Sequence, residues 1–236
     1  HLQKLNISIV LDGPWENTAD VSGIFKKEIS ALLEAEYEVA FPQDKQIRGD
    51  WSIASVRRAI DEMLSDDEVD LIIALGILGS GEICRLGPLK KPVIAPYVLN
   101  PKLQGIPIKD GTSNTPNLSY LTLEVDIRRH IELFREIFSF QKLVILGSSV
   151  AYDANPDFFH SMLDVARESV SQVDFVPVAM DGQNVVSAIT QTTEAVYICP
   201  LMGLPDEEFR RIVRTLNQRK IPSFSMYGES EVRKGI

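Results

Sequence analysis

Apolar runs of strand length alternate with segments of helical period along almost the whole chain, and this constrains the fold more than any single motif. Residues 5–11, "LNISIVL", read as a strand. Val21, Ile24, Phe25, Ile29, Leu32 and Leu33 then recur at helical spacing and predict an amphipathic helix over 19–36. "YEVAFP" reads as a second strand, followed by a helix capped by Ser52 with the stripe Val56, Ile60, Met63 and Leu64. Residues 69–75 and 92–98 are a third and a fourth strand, with room for only a short helix between them. Strands buried on both faces and separated by helices predict parallel sheets with right-handed crossovers.

The alternation breaks at 100–117, "NPKLQGIPIKDGTSNTPN", where prolines and glycines interrupt any period. It restarts with a helix over 126–138 and the strand "KLVILGS". Asn155 and Pro156 open a further helix to about residue 170, as a cap and a first helical position. The strands "DFVPVAM" and "AVYICPL" follow, then a helix from Pro205 with three acids in its first turn, then "IPSFSMY". Four strands before the break and four after it predict an α/β fold of two doubly wound parallel-sheet lobes joined by a hinge. The expected divisions are a first lobe over 1–99, a hinge or crossing over 100–125, and a second lobe over 126–236. In open parallel sheets ligands sit beyond the carboxyl ends of the strands, so the expected site is a set of strand-end loops lining a cleft.

A formal charge of −9 opposes a nucleic-acid partner, because that affinity rests on clustered Lys and Arg. The pairs Arg57-Arg58, Arg128-Arg129 and Arg210-Arg211 are interleaved with acids and read as solvated helix faces. No apolar stretch approaches the roughly 20 residues that span a bilayer. The chain begins at His1 without Met, which leaves an exported, processed protein open. Cys84 and Cys199 have no metal or redox spacing, and no cofactor or metal is expected. His130 and His160 fall in helices, away from any nucleophile loop, and "GSSVA" lacks the second glycine of a hydrolase elbow. The expectation is a binding protein and not an enzyme.

The third strand runs into "GILGSGE", where Gly76, Gly79 and Gly81 suggest three uses. A dinucleotide loop needs a different glycine order, a first strand before it and a full helix after it. A tight strand-to-helix turn is the plain structural account. The third account has the amides near Gly79 and Ser80 donating to a ligand carboxylate. Asp12 and Asp181 each follow a strand and precede glycine, as a partner for a ligand ammonium or as an Asp-Gly turn. Trp15, Tyr97, Tyr152 and Tyr227 stand at or just after strand ends and suit an amino acid, an aromatic compound or a sugar. Ser148 and Met202 occupy equivalent strand-end positions. Phe25, Phe134 and Phe209 lie in helix stripes and are expected in the core.

The succession "ALGILGS", "KPVIAPYVLNPKLQG", "GTSNTPNLSYL", "FQKLVIL", "VYICPL" and "IPSFSMYGESEVRKG" resembles the ABC-transporter substrate-binding proteins of the type that includes tryptophan and tyrosine binders. Asn100-Pro101 stands where that family has Asp-Pro, and "TPNLSYL" replaces a glycine-rich hinge. The resemblance implies a type I periplasmic-binding fold that closes on its ligand, a periplasmic or extracytoplasmic location, and a membrane permease as partner. It also implies that further chain follows the second lobe. The runner-up is a ligand-sensing module of a regulator or envelope assembly, and third is a small-molecule α/β enzyme.

Overall fold

A computed structural model describes residues 2–15 and 18–236, and their side chains except those of 18–20 and 230; His1 lies outside the described residues. The chain divides into two compact units, 1–124 and 125–236. In the first, β1 (Gln3–Leu11), α1 (Thr18–Leu33), β2 (Tyr37–Ala40), β3 (Gln46–Arg48), α2 (Ile53–Ser65), β4 (Leu71–Leu75), α3 (Ile77–Cys84), β5 (Val93–Leu99) and β6 (Leu118–Leu123) follow in order. The sheet runs β2-β1-β4-β5-β6 with parallel pairing throughout. The first half of β1 pairs with β2 and its second half with β3.

Isoleucine and leucine dominate β1 and β4, and alternate residues reach opposite faces of the sheet. Ile7, Ile9, Leu11, Ile73 and Leu75 form one core layer against Val21, Phe25 and Ile29 of α1. The helical stripe expected on α1 is thus narrowed to one line, i, i+4, i+8. Ile24 and Leu32 are exposed, and Phe25 is only half-buried. The neighbouring α2 buries Val56, Ala59, Ile60 and Met63, and Ser52 caps it by accepting from the Ser55 amide at 3.1 Å. Between α2 and α3, Glu82 is buried and accepts from Arg57, while Arg85 closes the network from the next turn.

Residues 100–123 fold with the first unit. Asn100 N donates to Leu123 O, Tyr120 Oη donates to Pro107 O at 2.8 Å, and β6 pairs with β5. The turn-rich composition is spent on tight loops: Asn100, Asp110, Asn114 and Asn117 all adopt positive φ.

The second unit holds α4 (Ile127–Ile137), β7 (Lys142–Ser148), α5 (Ser149–Ala154), α6 (Pro156–Ser169), β8 (Gln172–Val178), α7 (Gln183–Ala188), β9 (Ala195–Ile198), α8 (Asp206–Gln218), β10 (Ser223–Ser225) and α9 (Glu229–Val232). Its sheet is parallel in the order β10-β9-β7-β8. Asp126 caps α4 by accepting from Arg129 N at 3.0 Å, and Pro156 takes the first position of α6. Val144, Leu146, Val196 and Ile198 meet Phe209, Ile212, Val213 and Leu216 of α8. On the opposite face, Tyr197 packs against Phe224, which stacks on Phe134 of α4. These two layers are the apolar ledger of the unit, since each fully buried large side chain contributes about 1.5–3 kcal/mol.

Candidate functional site

In the first unit the carboxyl ends of β1, β3 and β4 lie side by side, because Leu11 pairs with both Arg48 and Leu75. The residues that follow these strands therefore share one neighbourhood. Asp12 is its centre and is fully buried. Its Oδ2 accepts from Leu78 N and its Oδ1 from Gly79 N, both at 2.8 Å. Burial pushes its carboxyl up to about 6, against the downward pull of the Gly79, Leu78 and Ile77 amides. The anion at the start of α3 is thus supplied by the protein itself.

Two expectations change here. Asp12 has both oxygens engaged and no exposed surface, so it is not a free partner for a ligand ammonium. The amides of Gly79 and Ser80 are also taken, Gly79 N by Asp12 and Ser80 N by Gly76 O at 2.9 Å, which removes them as donors to a ligand carboxylate. Ser80 holds the wall together instead. Its hydroxyl donates to Ala74 O at 2.9 Å and accepts from Tyr97 N at 3.1 Å.

Around this buried node stand three rings. Trp15 lies parallel to Trp51, with centroids 6.0 Å apart and planes 4° apart, and tilts against Tyr97 at 6.3 Å. Trp51 was not singled out by sequence, because it follows a three-residue polar strand and opens no apolar period. Its φ of 66° places a bulky residue in the left-handed region, a conformation that persists only where its surroundings hold it. Trp51 N donates to Asp12 O at 2.9 Å, and its ring lies over Gly13 so closely that a Cβ there would meet it at 2.4 Å. Asp50 and Ser52, which flank it in "GDWS", form the turn: Asp50 Oδ1 accepts from Ser52 N at 3.0 Å. A tryptophan beside a recognisable helix cap was the available signal.

In the second unit the strand-end residues have mostly structural partners. Ser148 is buried and caps α5, accepting from Ala151 N at 3.4 Å. Tyr152 lies at 3.1 Å from His160 Nε2 through its hydroxyl and packs on Phe159 and Phe175. Asp181 is exposed and turns its own chain, accepting from Gln183 N at 3.1 Å, so the Asp-Gly turn accounts for it. Met202 is half-buried after β9, and Tyr227 is exposed after β10.

Sequence reasoning missed Glu231 on α9. It is buried, its Oε2 has no hydrogen-bond partner among the described residues, and it lies near Cys199 and Tyr197. Burial pushes this carboxyl up to about 7, with Lys234 and the Tyr227 amide pulling it down. A carboxyl raised in the fold adds stability that is complete below its unfolded pKa and lost as pH rises through 7. Glu231→Gln is therefore expected to stabilise the second unit at pH 8 by on the order of 1 to 3 kcal/mol, and to change little at pH 4. Urea unfolding followed by circular dichroism at both pH values checks this; an equal effect at the two would refute it.

Among the described residues no three His, Cys, Asp or Glu side chains are grouped to hold a metal ion, and no helix is long and apolar enough to cross a membrane. No protein-family model matches the chain, and no curated protein matches it. Solved structures do. A conserved domain protein from Vibrio cholerae is 14% identical, with 99% of this chain and 77% of that chain covered and a TM-score of 0.66. An ABC domain from Streptococcus pneumoniae in complex with L-Trp is 14% identical, with 94% and 74% covered and a TM-score of 0.65. A type 1 periplasmic binding protein from Bordetella pertussis is 16% identical, with 95% and 62% covered and a TM-score of 0.58. The chain has the fold of the type I periplasmic binding proteins, and its structural neighbours include substrate-binding proteins of ABC transporters.

Proposed function

We propose that this chain is the solute-binding component of an ABC-type uptake system, taking a small ring-bearing organic solute and doing no covalent chemistry. The observation that carries this reading is the cluster of half-buried Trp15 and Tyr97 with buried Trp51 near the strand carboxyl ends of the first unit, where open parallel sheets bind their ligands. Aromatic rings offer a large apolar area at low entropic cost and stack on planar solutes. Trp51 adopts a left-handed backbone to take its place there, which favours a functional use over packing alone. The fold points the same way, and one neighbour holds L-Trp. In this reading the protein works outside the cytoplasm, delivers its solute to a membrane permease, and bends at the connection around Glu124–Val125 when the solute binds.

A thermal-shift screen of L-tryptophan, L-tyrosine, benzoates, leucine and glucose, followed by calorimetry, tests it. A ring-bearing solute should raise the melting temperature, since ligand at 100 times its Kd adds about 2.7 kcal/mol. Trp15→Ala should then weaken that solute by about 1 to 3 kcal/mol with the fold intact. Equal binding by the variant, or preference for leucine or glucose, would overturn the aromatic assignment. Solution scattering should show compaction with saturating solute.

A further inference from the structure

Asp12 reaches every ring of the aromatic surface through a short bonded path. Trp15 follows it by three residues on the same turn. Trp51 is tied to its carbonyl through the backbone amide at 2.9 Å. Tyr97 is tied through α3: the carboxylate holds the Leu78 and Gly79 amides, Ser80 is the next residue, and its hydroxyl accepts from Tyr97 N. Gly76 has no side chain at the point where any Cβ would lie within 2.4 Å of the carboxylate, so the group is enclosed at close quarters.

We propose that Asp12 is the positioning residue of the solute surface, and that its protonation state sets how firmly the three rings are held. This rests on the reading of that surface as the solute site. An ionised carboxylate is acceptor-only and suits the converging amides; a proton turns one oxygen into a donor and leaves an amide of the first α3 turn without its acceptor. Acidification thus eases the burial of charge while loosening α3, and with it Ser80 and Tyr97. Burial places the midpoint at about 6, inside the range a protein meets outside a cell.

Among the described residues few other charges compete. Arg48 and Asp50 flank the Trp51 turn, and Glu82 lies farther along α3, engaged by Arg57 and Arg85. The Ser52 hydroxyl and amide hold Asp50 below the usual carboxylate range, so it stays ionised through this interval.

The chain has two tryptophans, Trp15 and Trp51, so intrinsic tryptophan emission reports on this surface alone. Titration of the unliganded protein from pH 7.5 to 4.5 should shift the emission to the red with a midpoint near 6, while far-UV circular dichroism stays constant. Asp12→Asn should abolish the transition, and Trp51→Phe should leave the part reported by Trp15. If Asp12→Asn does not fold, the titration of the parent protein decides by itself. Calorimetry with L-tryptophan as the probe should show binding about tenfold weaker at pH 5 than at pH 7.5, the equivalent of one hydrogen bond to a charged group. A flat emission profile, or an identical transition in Asp12→Asn, overturns the proposal. Emission that titrates with no ring-bearing solute bound at any pH would retain the coupling and sink the solute-site reading. Solute binding with constant affinity and flat emission would do the reverse.

Discussion

Replacing Gly76 with alanine is expected to destabilise the first unit by more than about 3 kcal/mol, because it forces a choice between two losses. An added Cβ would stand 2.2 Å from Asp12 Cγ and 2.3 and 2.4 Å from its two oxygens. No flexible chain end is there to swing aside, since those oxygens are fixed by the Leu78 and Gly79 amides. Moving the carboxylate leaves buried amides unpaired at about 1 to 3 kcal/mol each. Keeping it requires the junction of β4 and α3 to shift within a packed interior, which strains neighbouring contacts. The φ of 161° at Gly76 is extended and open to any residue, so the whole effect is steric. Urea unfolding monitored by tryptophan emission measures it directly. Gly23→Ala is the control: nothing among the described residues lies within 4 Å of its added Cβ on α1, and alanine is favoured there by about 1 kcal/mol. A Gly76→Ala loss below 1 kcal/mol would show that the enclosure of Asp12 is looser than the distances imply.

The same residue shows where the sequence stops being readable. That Asp12 stands at a strand end before glycine was visible, and so was the glycine loop 64 residues farther on. Their relation was not, since both a ligand carboxylate and a protein carboxylate satisfy the start of α3. Only the pairing of β1 with β4 decides which one does. The long strands and helices were legible because their own periodicity records burial. β3 and β6 were not, for different reasons. "QIR" is short and polar and is held by the backbone of β1, while "LSYLTL" is an edge strand whose outer residues are largely exposed. The residues before β6 suggest a crossing in the sequence because positive-φ asparagines and an interrupted period look alike in a linker and in a compact loop. Trp51 was hidden for a related reason, its role being set by the backbone conformation that brings it over Gly13.

Tyr197 carries the second large expectation, this one in the second unit. It has no exposed surface, sits at the middle of β9, and packs its ring on Phe224 at 4.5 Å. Its hydroxyl lies 2.9 Å from His130 Nδ1 on α4, so one side chain joins the sheet to the helix through both packing and a hydrogen bond. Burial pushes the phenol well above its ordinary pKa, and it stays neutral throughout the working range. Tyr197→Ala removes a buried ring and should destabilise the unit by about 3 to 5 kcal/mol. Tyr197→Phe keeps the ring and removes only the hydroxyl, with an expected loss of about 0.5 to 1.5 kcal/mol. Circular dichroism of urea unfolding reports the loss. Tryptophan emission supplies an internal reference, because both tryptophans lie in the first unit. Should the phenylalanine variant lose as much as the alanine variant, the link to His130 and not the packing of the ring would be what holds β9 to α4.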